Sequence, residues 1–341
     1  MGFKVINPGL LTTLQDMGRY GQRKYGVVTS GPMDLFAHRV ANILVGNPAD
    51  KATLEMTLQG PVLHAHKDML LALCGADMEA NVDGVFVPLW SPFVIHEGSK
   101  LHIHYARHGC RAYLAVGGGF DSSPVMGSRS TYLRARIGGY EGRALQEGDV
   151  LPVGAAGQSS SRLYHATAHW GHSGKKGLLH TPPIVSTRMS PVYEENPVVR
   201  VLLGREAASF TEQSRHDFQS QPYLVTPQSD RMGYRMEGKK LVIEEGISSE
   251  MISEAVVQGT IQVPPSGQPI LLMADCQTTG GYPRIAHVIS VDLPLVAQVK
   301  PGGQLRFREV SHAEAQEQIV LRELDLRLLE VGLKAWAQDQ R

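Results

Sequence analysis

Cysteine is scarce. The chain has three in 341 residues, Cys74, Cys110 and Cys276, widely spaced and without a CxxC pair. That odd number at that spacing gives no disulfide framework and no cysteine zinc site, and predicts buried thiols in a reducing compartment. Long hydrophobic runs are missing too: none approaches the roughly 20 residues needed to span a bilayer. The first residues, Met1 to Pro8, have no apolar h-region, and Ile6 stands where a myristoylation signal needs Ser or Thr. A cytoplasmic protein is the expectation. An excess of charge of either sign is also absent, with 33 Lys plus Arg against 33 Asp plus Glu. The balance gives no electrostatic reason to expect nucleic acid or an anionic membrane as partner.

Several catalytic signatures are lacking. No G-x-S-x-G occurs, so a nucleophile elbow is not expected. The run Gly233–Lys240 misses a phosphate-cradling P-loop at one place, because Lys240 stands where the magnesium-binding hydroxyl belongs. The residues after it, Leu241-Val242-Ile243, read as a strand where a helix is required. There is no Met-Lys-Met, so no biotin is attached to this chain. His64-x-His66 and His102-x-His104 each place two imidazoles on one strand face. Neither has a nearby Glu to complete a metal site, so both read as solvent-facing and no metal site is expected.

What is present points to β-structure. The 36 glycines and 20 prolines favour many turns and short strands. Leu70–Leu73, Ala112–Val116 and Ile270–Met273 are apolar runs bounded by Gly, Pro or Asp and predict strands buried on both faces. His102–Tyr105 and Leu305–Arg308 alternate and predict half-exposed strands, each after a glycine turn. Two helices stand out. Asp34 caps a segment from Leu35 to Val45 with Phe36, Val40, Ile43 and Leu44 on one face and Gly46 at its end. Ser311 and Glu314 form a capping box for a helix running to about Trp336, with Leu321, Leu324, Leu328 and Val331 as its apolar stripe. The polar, turn-rich stretch 155–183 reads as a linker. The expected division is a lobe over 1–190 (with that linker), a second over 191–310, and a helix and tail over 311–341.

One motif pair occurs twice. Gln15-Asp16-Met17-Gly18-Arg19 is followed by Glu55 and, four residues on, Gln59-Gly60; Asp230-Arg231-Met232-Gly233-Tyr234-Arg235 is followed by Glu254 and Gln258-Gly259. Acids, arginines and glycines are costly in a core, so their repetition in order suggests two related lobes that each present a polar loop to a shared site. Two further loops are candidates for anion binding. Gly117-Gly118-Gly119 leads to Gly127-Ser128-Arg129 and Gly138-Gly139-Tyr140-Glu141-Gly142-Arg143, where backbone N–H groups, Arg129 and Arg143 could hold one anion. Ala274–Pro283 follows a buried strand and offers Asp275, Thr278 and Thr279 before Gly280-Gly281-Tyr282. Strand-connecting turns are the competing reading for both.

These motifs resemble a known family. Pro8-Gly9-Leu10, Gln15-Asp16, Gly18-Arg19, Ser30-Gly31-Pro32-Met33-Asp34, Asn42, Gly46-Asn47 and Glu55 to Pro61 resemble the start of the allophanate hydrolase subunit 2, or biotin-dependent carboxyltransferase-like, family. Arg231–Arg235, Gly238, Ser249-Glu250, Gln258–Pro264 and Asp275–Pro283 resemble its second half. The order holds over about residues 3 to 310; Pro32 stands where many members have Ala. The resemblance implies a mainly β fold of two tandem cyclophilin-like β-barrel lobes with a few short helices and a C-terminal helix. It also implies a role like that of the C subunit of ATP-dependent 5-oxoprolinase, which opens 5-oxo-L-proline to L-glutamate with an A subunit and a KipI-like B subunit, ATP and magnesium being used by the complex.

In that setting Asp16, Glu55 and Asp275 are candidates for proton transfer or for ordering arginines. Arg19, Arg231 and Arg235 are candidates for clamping phosphate or substrate carboxylate, with Gln258, Gln262, Thr278, Thr279, Gly280, Gly281 and Tyr282 as further contacts. The competing reading for any Arg–Asp pair is a salt bridge that holds a loop. Two other family roles stay open: a regulatory protein that antagonises a KipI-like kinase inhibitor, as KipA does, and a carboxyltransferase component of a biotin-dependent, urea-carboxylase-like enzyme. The resemblance implies that the chain is inactive alone.

Overall fold

The computed structural model describes residues 2–172, 185–186 and 189–339. Strands dominate, and the chain divides into two units. Unit 1 comprises 1–19, 34–192 and 323–341; unit 2 comprises 20–33 and 193–322. A contiguous split near 190 therefore misses two exchanges: Tyr20–Met33 counts with the second unit, and the last part of the C-terminal helix counts with the first.

Unit 1 is built on two antiparallel sheets. The five-stranded one runs in the order Leu11–Gln15, Thr53–Thr57, His108–Val116, Met69–Asp77, Pro92–Ile95. The six-stranded one runs Val150–Leu151, Phe3–Asn7, Val62–Ala65, Lys100–Ile103, Ala80–Val82, Val85–Val87. Strand side chains alternate between faces, which explains why the apolar runs are continuous. Leu71, Leu73, Ala112 and Leu114 enter one core with Phe3, Val5 and Leu101. Leu70, Ala72, Cys74, Tyr113 and Ala115 enter another, with helical residues. All three cysteines are buried and free.

The helix Leu35–Leu44 covers that second face. Asp34 caps it, its carboxylate accepting from the N–H of Ala37 at 2.8 Å. Gly46 follows at φ 70°, and a Cβ there would lie 2.7 Å from the Ser160 backbone nitrogen, so only glycine fits. The stretch read as a linker is helical over Gln158–His172. Ser160, Leu163, Ala166 and Thr167 are buried at helical spacing, a stripe that the abundant Ser and His obscured. Residues 173–184 lie outside the described residues.

The C-terminal helix runs His312–Asp339, and Ser311 Oγ accepts from the N–H of Glu314 at 3.1 Å. Its buried face is not the expected one. Leu326, Leu329 and Leu333 are buried, whereas Leu328 and Val331 are 68% and 64% exposed, and Leu321 and Leu324 are exposed as well. The helix carries two apolar series at compatible spacing, and only one can face the core.

Unit 2 is a closed barrel of seven strands: Val198–Leu203, Arg284–Val288, Thr260–Gln262, Ile270–Leu272, Gly233–Glu237, Tyr223–Val225 and Gln304–Glu309, which closes in parallel onto Val198–Leu203. Val199, Val201, Tyr234, Ile261, Leu271 and Phe307 fill it. The P-loop near-miss is a barrel strand through Glu237. Among the described residues no helix is long and apolar enough to cross a membrane.

Candidate functional site

In unit 1 the strand Leu11–Gln15 ends at Asp16, which gathers a loop around itself. Its Oδ1 accepts from Gly18 N–H at 3.0 Å and from the hydroxyls of Ser128 and Ser130, both at 2.6 Å; its Oδ2 accepts from the Arg129 N–H. Burial alone would raise the Asp16 pKa. The two hydroxyls and two backbone N–H groups outweigh it and hold the carboxyl below its ordinary value of 3.8. Asp16 is thus a charged, fully engaged acceptor. Arg19 is completely buried. Its Nε donates to the Val125 carbonyl at 2.9 Å and its Nη2 to the Ser130 carbonyl at 2.8 Å. Asp16 and Arg19 therefore pin the segment 125–130 from below.

The pinned loops border an open cavity of about 470 Å3 lined by Asp121, Ser122, Val125, Arg136, Tyr140 and Glu141, among others. Its wall is built from left-handed backbone, strained only at the non-glycines Arg136 and Glu141. Arg136, Gly138, Gly139, Glu141 and Gly142 all have φ between 53° and 68°. A Cβ on Gly138 would lie 2.1 Å from the Ser130 carbonyl oxygen, and one on Gly139 would lie 1.8 Å from Thr131 Oγ1. Arg129 and Arg143 do not converge on one anion as expected. Arg129 bonds the Ser122 carbonyl and Asp121, while Arg143 forks onto Asp149 at 2.7 and 2.9 Å and reaches Glu141 at 2.8 Å. Nearby acids neutralise both.

Glu55 lies inside unit 1. Its Oε2 accepts from the Tyr113 hydroxyl at 2.7 Å, and that hydroxyl accepts from the Asp34 N–H at 2.7 Å. Burial, then the Glu55 and Asp34 charges, push the phenol well above its ordinary range. Beside them His38 is fully buried between Thr53 Oγ1 and the Ala49 carbonyl, and burial pushes its pKa down to about 4.

In unit 2 the corresponding turn has the same local geometry. Asp230 Oδ1 accepts from Met232 N–H at 2.8 Å, two residues on, as Asp16 does from Gly18. Arg231 and Asp275 form a buried two-pronged pair, Nε to Oδ2 at 2.9 Å and Nη2 to Oδ1 at 3.1 Å; Nη2 also donates to the Gly31 carbonyl at 2.7 Å. Arg23 donates to the carbonyls of Val256, Gln277 and Thr278. These two arginines fasten Tyr20–Met33 to the barrel.

Gln262 is buried and donates to the Tyr282 carbonyl at 3.3 Å; a Cβ on Gly280 would meet its Nε2 at 2.4 Å. Thr279 and Gly280 pair with Ala255 and Glu254 as a short ribbon instead of forming an open loop. Gly281 takes a hydrogen bond from Met251 N–H at 2.8 Å on its carbonyl. Arg235, Thr279 and Tyr282 are exposed; Gln258 and Thr278 are half-buried. The second glutamate of the repeat differs from the first: Glu254 is exposed and bonds Arg284, whereas Glu55 is buried. Sequence reasoning missed Arg23, Tyr113, His38 and Arg136. The hydroxyls of Gly-Ser-Arg-Ser at 127–130 were the available sign that Asp16 had partners.

With its fold and these loops in place, the chain can be set beside known proteins. Residues 25–309 match the family described as carboxyltransferase domain, subdomain A and B, and the chain belongs to that family. It is 39% identical over 312 residues to the 5-oxoprolinase C subunit of Escherichia coli (strain K12), covering 92% of each chain. Against the 5-oxoprolinase C subunit of Haemophilus influenzae it is 38% identical over 303 residues, 89% of each. The crystal structure of the K. lactis urea amidolyase matches with a TM-score of 0.85 at 27% identity, over 96% of this chain and 20% of that one.

Proposed function

We propose that this chain is the C subunit of an ATP-dependent 5-oxoprolinase that opens 5-oxo-L-proline to L-glutamate with an A subunit and a KipI-like B subunit. The observation that carries the reading is end-to-end similarity: 39% identity covers 92% of this chain and 92% of its 5-oxoprolinase relative. The urea amidolyase of Lachancea kluyveri is 30% identical over 97% of this chain but only 18% of that protein.

A lactam is a stable amide. Phosphorylation of its carbonyl oxygen would activate it toward water, and such chemistry needs donors and cations around developing charge. In this reading Asp16, Arg19, Glu55, Arg231 and Asp275 order the loops, and Arg235, Gln258, Gln262, Thr278, Thr279, Gly280, Gly281 and Tyr282 are the groups near which substrate or partner is held. ATP and magnesium belong to the complex. Among the described residues no three His, Cys, Asp or Glu side chains gather to hold a metal.

The test is reconstitution in the cytoplasmic setting the reading supposes. The chain mixed with A and B subunits yields glutamate and phosphate from 5-oxoproline and ATP, and the chain alone yields none. Equal turnover from A and B without it defeats the reading. The likeness to urea amidolyase favours a carboxyltransferase as second reading; transfer from carboxybiotin to an amide acceptor by this chain would establish that one instead.

A further inference from the structure

The cavity lined chiefly by residues of 121–142 holds one arginine without a partner among the described residues. Among its lining residues Asp121 is paired with Arg129, and Glu141 with Arg143. Arg136 also lines it, is exposed, and makes no side-chain hydrogen bond or ion pair among the described residues. The Ser122 Oγ in the same wall is buried and has no hydrogen-bond partner. An unmet buried hydroxyl costs free energy, and so do the left-handed φ values of Arg136 and Glu141, 55° and 53°. Asp16 and Arg19 lie buried beneath these loops and hold them in place. Backbone strain and an unpaired guanidinium thus coincide in one cavity of small-molecule size.

We propose that this cavity is a binding site for a small monocarboxylate, with Arg136 as the fork that takes the carboxylate. A guanidinium matches a carboxylate in plane and in spacing. Around the cavity three carboxylates, Asp121, Glu141 and Asp149, face three guanidiniums, Arg129, Arg143 and Arg136, so the wall has no excess positive charge and favours a monoanion over phosphate dianions and nucleotide polyphosphates. The cavity, at about 470 Å3, exceeds such a ligand, so it leaves room for a second reactant. Naming that ligand as 5-oxo-L-proline rests on the function proposed above; the site itself does not.

The experiment is titration calorimetry on the full chain with 5-oxo-L-proline, acetate and inorganic phosphate as separate probes, using wild type, Arg136→Ala and Arg136→Lys. Arg136 is exposed, so its variants fold; thermal melts check this. The expected result is carboxylate binding that weakens about tenfold to a hundredfold in Arg136→Ala, less in Arg136→Lys, with phosphate the poorest probe. No carboxylate binding by the wild type, or binding unchanged in Arg136→Ala, overturns the site. In the reconstituted complex the two ideas separate. Glutamate formation with an unchanged KM for 5-oxoproline in Arg136→Ala removes the site and leaves the function. Arg136-dependent carboxylate binding without any lactam hydrolysis keeps the site and removes the function.

Discussion

Arg231 and Asp275 face each other across 44 residues of chain as a forked ion pair, both nearly excluded from solvent. The guanidinium also holds the Gly31 carbonyl, so one side chain ties two loops of the barrel unit. Arg231→Ala strands the Asp275 carboxylate in the interior and should cost ~3–5 kcal/mol in urea unfolding. Replacing both, Arg231→Met with Asp275→Leu, should recover much of that loss. Equal stability of Arg231→Ala and wild type would remove the pair from the account of the fold.

Asp16 gives a pH signature. Its folded pKa lies below its ordinary value of 3.8, so its contribution is fully present above the unfolded pKa and disappears as pH falls through the folded one. Asp16→Asn should lose ~1–3 kcal/mol. The gap between wild type and variant should be constant above about pH 5 and close progressively below about pH 4. A gap independent of pH would contradict the charged, hydrogen-bonded carboxylate.

His38 gives another. Its pKa falls from 6.5 to about 4 on burial. Above 6.5 the ring is neutral in both states and carries no proton penalty. Between 6.5 and about 4 only the unfolded chain binds the proton, so stability declines with falling pH by ~1.4 kcal/mol per unit. Below that value both states are protonated and the decline from this group ends. His38→Gln, which cannot titrate, should flatten this part of the curve, as read by denaturant unfolding across the window.

The C-terminal helix separates its two leucine series by stability. Leu333→Ala should cost ~2–5 kcal/mol because it empties a buried site. Leu328→Ala should change stability by ~0.5 kcal/mol or less, since that side chain is 68% exposed. The reverse order would restore the stripe that periodicity alone suggested.

Local signals were the legible ones. Leu70–Leu73 and Ala112–Val116 announce doubly buried strands because nothing polar interrupts them, and Asp34 announces a helix start because its carboxylate serves a backbone N–H three residues away. The motif order carried the family. Partners distant in sequence were not legible: Asp16 is held by Ser128 and Ser130, 112 and 114 residues on, and no spacing rule joins them. Nor could a pattern decide between two apolar stripes on one helix, because the choice depends on what lies beneath. The fate of Arg143 was closer to hand, since Asp149 follows six residues later.

The exchange of segments between units bears on how the polypeptide matures. The barrel unit needs Tyr20–Met33 together with strands that begin only at Val198, while the first unit needs helix residues 323–339, which come later still. All residues of the barrel unit precede those helix residues, so the barrel can close before the first unit is complete. Expressing either half by cutting at a single bond therefore yields an incomplete body, and a working dissection has to carry the strap Tyr20–Met33 along with the barrel.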